Sequence, residues 1–256
     1  MSAGARRTLV EALRRAQEAA FGPGEYIEQE SFVPASQIRA LADRAGIGAG
    51  VSVLDLCCGV AGPGRFLVRE LGCDYLGVDA SAGAIALARE RAGDLPCRFL
   101  VGEIPPLTPG TFDVVLLLET LLAFRDKRPL LEEVSRALPG GGRFAFTLEE
   151  GAPLTEAERA RMPGADTVWL TPLDELHELL ARAGLAVRWE EDWSGSHRAV
   201  AESLAEGYAA DATSIASRIG RRALDELLAA HRLWSEWLRT GRVRKFALVA
   251  ERPAEG

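Results

Sequence analysis

Apolar and polar positions along this chain alternate between two periods. Residues 51–56, 75–78, 97–101, 112–118 and 143–148 are short apolar runs rich in Val, Leu, Phe and Cys, as expected of buried strands. Between them, 63–71, 82–92 and 128–137 repeat apolar residues three and four apart, the period of an amphipathic helix. Apolar strands alternating with such helices predict a parallel sheet covered on both faces. Upstream, 6–20 reads as a helix with Leu9, Val10, Leu13 and Ala16 on one side. A turn-rich break, Phe21-Gly-Pro-Gly-Glu-Tyr26-Ile, separates it from a second helix over 36–45. After 148 the rhythm changes. Residues 151–170 read as a loop or small insertion, and 172–183 as a helix with Pro172 at its start and Gly184 beyond its end. A sixth strand is expected at 185–190 and a seventh at 245–250, with about 50 mostly helical residues between them, far more than a tight connection needs.

Composition narrows the picture. A chain of 256 residues can bury one large core, and 48% hydrophobic with 26% charged residues is ordinary for a globular protein. A formal charge of −7 argues against nucleic acid as the main partner, since phosphate binding needs a basic footprint. The basic groups Arg218, Arg221, Arg222 and Arg239, Arg242, Arg244, Lys245 read as solvated helix ends and strand flanks. Cys57, Cys58, Cys73 and Cys97 form no C-x-x-C pair, and no histidine completes a zinc site, so no metal is expected and the thiols read as reduced. The N-terminus lacks an apolar signal region, and no apolar run approaches the ~20 residues of a membrane span; a cytoplasmic location and no membrane partner are expected.

The chemistry concentrates in Val51-Ser-Val-Leu-Asp55-Leu-Cys57-Cys58-Gly59-Val-Ala-Gly62-Pro-Gly64. A buried strand ends in a carboxylate and breaks into a glycine-rich turn. The next strand, Tyr75-Leu-Gly-Val78, delivers a second acid, Asp79. Acids at the C-terminal ends of adjacent strands around a glycine turn suggest a site for a nucleoside-type cofactor. A dinucleotide turn aims backbone N–H groups at a pyrophosphate, which Asp55 would repel. A cationic group would be attracted instead, and S-adenosylmethionine carries an ammonium and a sulfonium but no phosphate.

These residues resemble the class I S-adenosylmethionine-dependent methyltransferases. Val53-Leu-Asp-Leu-Cys-Cys-Gly is similar to the family's first motif and Gly77-Val-Asp79-Ala-Ser to its second. Val101-Gly102-Glu103 and Phe112-Asp113-Val114-Val115 resemble the third and fourth, and Leu131 to Arg143 the helix and glycine turn entering the fifth strand. The N-terminal helices and the long insertion resemble the subgroup acting on small molecules, such as sarcosine and natural-product methyltransferases. The resemblance implies an α/β fold of Rossmann-like type: a seven-stranded, mostly parallel sheet with an antiparallel last strand, helices on both faces and a helical cap. It implies a single domain over 1–256, with 1–50 as an N-terminal lid, 51–150 as the cofactor core and 194–244 as the cap.

By the same resemblance, Asp55 orients the methionine amino group, Asp79 accepts from both ribose hydroxyls, and Ala80 and Ser81 lie near the adenine. Glu103, with the backbone of Ile104, takes the adenine amino group. Gly59 and Gly62 allow close approach, while Cys57 stands where the family usually has glycine. Gly64 is either part of this approach or a plain loop residue. Leu118 and Glu119 lie beneath the cofactor, and Tyr26 reaches over its methionine end. The histidine many relatives carry after the fourth strand is absent from Glu119-Thr-Leu-Leu-Ala-Phe-Arg-Asp126. Glu149 is therefore the expected acceptor binder or base, with Glu150 behind it, and Trp169, His197 and His231 are expected on the acceptor side. His177 reads as a helix-surface residue. The expected reaction is methyl transfer to an oxygen, nitrogen or carbon of a small organic molecule, by a monomer or homodimer. A cyclisation or rearrangement in the same pocket and a non-catalytic cofactor-binding protein stay open; a nicotinamide oxidoreductase is opposed by Asp55.

Overall fold

The computed structural model describes residues 2–254. Its strands are β1 (Ser52–Leu56), β2 (Asp74–Asp79), β3 (Cys97–Val101), β4 (Val114–Leu117), β5 (Arg143–Glu150), β6 (Ala186–Asp192) and β7 (Arg244–Glu251). They form one sheet in the order β3-β2-β1-β4-β5-β7-β6. Only β7 runs against its neighbours, inserted between β5 and β6. The strand order reverses between β1 and β4, so both chains of connections diverge there and leave a crevice at their C-terminal ends.

Helices α1 (Ala3–Phe21) and α2 (Ala35–Ala45) precede the sheet; α3 (Gly62–Leu71), α4 (Ala82–Ala92), α5 (Arg128–Ala137), α6 (Glu156–Arg161) and α7 (Leu173–Arg182) are interleaved with it. The apolar sides of α5 and α7 bury Leu130, Leu131, Val134, Leu176 and Leu180 against one face of the sheet. Helices α2 and α3 bury Ile38, Leu41, Leu67 and Val68 against the other. The fourth strand is shorter than the apolar run 112–118: Asp113 turns aside to accept from the backbone amide and hydroxyl of Ser52, and Glu119 adopts a left-handed φ of 52°.

The long excursion before β7 is α8 (Ser194–Ala210), α9 (Ala212–Ile219) and α10 (Arg221–Thr240). Leu13, Ala16 and Phe21 of α1 share one buried cluster with Val200, Leu204 and Tyr208 of α8, Ile215 of α9 and Leu224 of α10. The N-terminal helix and the late helices therefore form one layer. Residues 151–170 are more than a loop: Leu154, Met162, Val168 and Leu170 pack on Leu233, Trp237 and Leu238 of that layer, and α6 carries a capping box from Thr155 and Glu158.

Candidate functional site

The turn after β1 is held in an unusual backbone. Cys57, Gly59 and Ala61 have φ of 57°, 56° and 57°. Glycine occupies that region without penalty; for Cys57 and Ala61 it costs roughly 1 kcal/mol each. Close packing explains the glycines. A Cβ on Gly62 would lie 2.5 Å from the backbone of Ile27 and Glu28, so the segment between α1 and α2 sits directly on the start of α3. A Cβ on Gly64 would overlap the ring of Tyr75, so this position is a packing site and not a plain loop residue. Tyr75 is buried under the turn and donates to Asp55 Oδ2 at 2.6 Å.

Asp55 is buried, and burial pushes its carboxyl up to about 7; the Tyr75 hydroxyl pulls it down and the charge of Asp79 pushes it further up. Asp79, at the end of β2, accepts from the amides of Gly59 at 2.9 Å and Ser81 at 2.8 Å. Those two bonds fix the carboxylate at the mouth of the crevice and leave further lone pairs on each oxygen.

Two adjoining cavities open there, of about 300 and 340 Å³. Cys57, Asp79 and Thr120 line both. The first also takes in Asp55, Gly59, Gly62, Leu118 and Glu119, and the second Ala80, Glu103 and Ile104. The structure thus brings these predicted residues together. The first cavity is acidic: among the described residues, Glu28, Glu30, Asp55, Asp79 and Glu119 face a single cation, Arg6. Such a lining fits a ligand bearing ammonium and sulfonium groups and opposes a pyrophosphate.

Two of the residues predicted at the cofactor do not line the cavities. Tyr26 does not cover them: its hydroxyl donates to Gln17 at 3.0 Å and its ring lies 5.8 Å from that of Phe21, because α1 offers it an apolar partner and an acceptor. Ser81 turns away to cap α4, accepting from Ala84 N at 3.2 Å.

Behind Glu119 lies a buried charge network. The register of β5 and β7 sets Glu149 opposite Lys245. Lys245 is fully buried and pairs with Glu149, while its Nζ is 3.1 Å from Glu119 Oε1. His197 Nδ1, from α8, lies 3.3 Å from the same oxygen. Glu119 Oε2 accepts from the amide of Phe32 at 2.8 Å, and the Phe32 ring packs on His197 and His231 with centroids 4.9 and 5.5 Å apart. Burial holds His197 well below its ordinary value; the Lys245 ammonium lowers it further and Glu149 opposes this. The imidazole is therefore neutral near pH 7. Glu119, Glu149 and His197 place ligand atoms within 4.8 Å of one another, but a metal ion among them would meet the Lys245 ammonium.

This network revises three expectations. Lys245 is no solvated strand flank; within the basic group, Arg242 pairs with Glu158 and Arg244 with Glu150. Glu149 is paired with the buried Lys245 and lines neither cavity. Trp169 is held away from the cavities, with its carbonyl taking the buried Lys127 Nζ at 2.9 Å and its ring beneath Arg125 and Arg159. His231 Nδ1 bonds the carbonyl of Leu227 at 2.9 Å and its ring meets Tyr208 edge-on. His177 is at the helix surface as expected, 2.7 Å from Glu190. Arg6, Glu30, Phe32 and Lys245 escaped the sequence reading. Only Lys245 left a trace, as a charge opening an otherwise apolar strand that pairs antiparallel with one ending in Glu149.

Comparison with known proteins adds to this geometry. Residues 54–146 match a family model described as a methyltransferase domain. The 27-O-demethylrifamycin SV methyltransferase of Amycolatopsis mediterranei is 30% identical over 184 residues, which cover 66% of this chain and 68% of that protein. The 2-phytyl-1,4-naphtoquinone methyltransferase of Thermosynechococcus vestitus is 30% identical over 149 residues, covering 56% of this chain and 63% of that protein, so the chain spans less than two thirds of that relative. Among solved structures, phosphoethanolamine N-methyltransferase 2 of Haemonchus contortus in complex with S-adenosyl-L-methionine superposes with a TM-score of 0.78 at 21% identity, over 95% of this chain and 56% of that one. At that identity the likeness concerns the fold.

Proposed function

The chain belongs to the class I S-adenosylmethionine-dependent methyltransferases, and from that premise we propose that it methylates a hydroxyl group of a small organic molecule, with His197 as the general base. S-adenosylmethionine is the cofactor, and when bound it supplies a methyl group already activated by its sulfonium. Asp79 is positioned for the ribose hydroxyls, Glu103 and Ile104 for the adenine edge, and the acidic first cavity for the cationic aminoacyl end. The donor can be attacked without further activation, so much of the acceleration comes from orientation in a site closed to water. An attacking hydroxyl must lose a proton, and one group beside the cofactor cavity is suited to take it.

The observation that carries this reading is a neutral, buried imidazole whose Nδ1 faces Glu119, a residue that itself lines the cavity. Glu119 orients the ring and favours the cation formed as the proton arrives. Lys245 pairs with Glu119 and Glu149 and its charge lowers the His197 pKa, so it is a positioning residue. The Phe32 ring packs on His197, and in this reading the acceptor reaches the imidazole by displacing that ring. The similarity to the 27-O-demethylrifamycin SV methyltransferase is in keeping with a natural-product hydroxyl.

The test is incubation with methyl-labelled cofactor and a panel of hydroxyl, amine and activated-carbon acceptors, followed by mass spectrometry. Label must appear in a hydroxyl acceptor. His197→Ala should lower kcat by about 10²–10⁴-fold while S-adenosylhomocysteine affinity is retained. Because the folded His197 is already neutral below pH 6.5, kcat should be level from pH 6.5 to 8 and fall only in more acid solution. Label confined to amines, or a kcat indifferent to His197→Ala, sinks the assignment; turnover of an acceptor without label transfer would point to a rearrangement.

A further inference from the structure

The aminoacyl arm of the cofactor carries a carboxylate beside its ammonium group, and the first cavity has little to offer an anion. Among the described residues, Arg6 of α1 is its only lining cation. Two neighbouring arginines, Arg65 and Arg91, pair with Glu28 at 2.5 and 3.3 Å and do not line the cavity. Arg6 is engaged too, by both carboxylate oxygens of Glu30.

The position of that carboxylate is informative. Glu30 lines the same cavity, and its Oε2 stands 2.6 Å from where a Cβ would sit on Gly59. It therefore rests on the bare glycine of the turn, the surface a ligand would approach. Around it, Arg6 Nε and Ser31 Oγ are buried and have no hydrogen-bond partner among the described residues. Both residues line the cavity. A guanidinium and a hydroxyl with unused donors, above a glycine turn, make up a carboxylate site. The chain's own glutamate sits in it.

We propose that Glu30 is an internal stand-in for the α-carboxylate of the cofactor. Glu30 occupies Arg6, and the cofactor's carboxylate replaces it on Arg6 and Ser31 when the aminoacyl arm enters. The inference rests on S-adenosylmethionine being the cofactor. It makes Glu30 an intramolecular competitor, so that cofactor affinity is lower than the site could provide and release of the spent cofactor is assisted by the returning glutamate. The exchange involves only ligands with the aminoacyl arm; a nucleoside without it leaves the Arg6–Glu30 pair in place.

Calorimetry with two ligands tests this on the whole chain. S-adenosylhomocysteine has the arm, and 5′-methylthioadenosine has the same nucleoside and thioether without it. Arg6→Ala should weaken S-adenosylhomocysteine by roughly tenfold or more and leave 5′-methylthioadenosine within about twofold, with Arg6→Lys in between. Glu30→Gln should act oppositely, tightening S-adenosylhomocysteine by roughly three- to tenfold with no change for 5′-methylthioadenosine. Equal losses for both ligands in Arg6→Ala would mean that the pair merely holds α1 in place, and would overturn the proposal. So would Glu30→Gln weakening S-adenosylhomocysteine. If the wild-type chain binds neither ligand, the cofactor assignment itself fails; if it binds both and the variants do not discriminate, only the stand-in fails.

Discussion

The cofactor side and the acceptor side of this site are built in opposite ways. Asp55, Asp79 and Glu103 follow one another at the ends of β1, β2 and β3, each delivered by its own strand to a shared crevice. Their geometry follows from local sequence: strand, acid, turn, helix. The acceptor side gathers Glu119 from the turn after β4, Glu149 from β5, His197 from α8 and Lys245 from β7. No two are close in sequence, and what assembles them is the β5–β7 register and the docking of α8. The first arrangement lines an open crevice; the second is a packed charge network in which Lys245 serves both Glu119 and Glu149. A cofactor site can thus be a chain of motifs, whereas the acceptor site is a product of tertiary packing.

That contrast makes Lys245 the point of greatest leverage. Lys245→Met leaves Glu119 and Glu149 buried without their ammonium, and removing one partner of such a network costs about 3–5 kcal/mol. We expect urea unfolding to show a loss of that size. Lys245→Met combined with Glu149→Met should regain part of it, because the more deeply buried of the two uncompensated charges is gone while Glu119 keeps the Phe32 amide. If the single variant is as stable as the wild type, the acceptor side is not organised by this network and the two sides do not differ in this way.

On the cofactor side the sensitive position is a glycine. Gly64→Ala would gain up to about 1 kcal/mol of helix propensity in α3. The new methyl overlaps the ring of the fully buried Tyr75, whose hydroxyl holds Asp55. Overpacking a core of this kind costs about 1–3 kcal/mol, so the clash should prevail. The expected outcome is a lower melting temperature together with weaker S-adenosylhomocysteine binding. A stabilised variant would mean that Tyr75 can step aside without disturbing Asp55.

How far the sequence could be read follows the same divide. The five leading strands, the acids at their ends and the glycine turn were visible because each is a local pattern with a local physical cause. The antiparallel seventh strand came only with the family resemblance. Lys245 was read as solvated, since a lysine at a strand's start usually is; nothing near it in sequence reveals that Glu149 lies across the sheet. Tyr26 was expected over the cofactor but found an acceptor in Gln17 and an apolar partner in Phe21, a choice made by α1. Arg6 and Glu30 lie on polar positions of a helix and a turn, where a charge carries no signal of its own. The pair exists because the segment between the first two helices folds across the glycine turn.

The two sides also differ in how protons should affect them, and this is the smallest and most discriminating effect. Burial moves Asp55 up to about 7 and His197 down, so near neutrality Asp55 is partly protonated while His197 is fully deprotonated. An ammonium group beside Asp55 favours its ionised form, so binding S-adenosylhomocysteine should lower its pKa and release a proton wherever the free site is still protonated. Affinity should then rise with pH from 6 to about 7.5 and level off above, a change of at most about tenfold per unit in the steepest region. Calorimetry in buffers of different ionisation enthalpy counts the released protons directly. 5′-Methylthioadenosine, which lacks the ammonium, should show neither the slope nor the release, and Asp55→Asn should abolish both for S-adenosylhomocysteine. A pH-independent affinity in the wild-type chain would place the ammonium away from Asp55, against Glu119 or Glu28 instead. The acidic lining would still account for the preference for a cation, but the carboxylate that ends β1 would then serve Tyr75 and the turn, not the ligand.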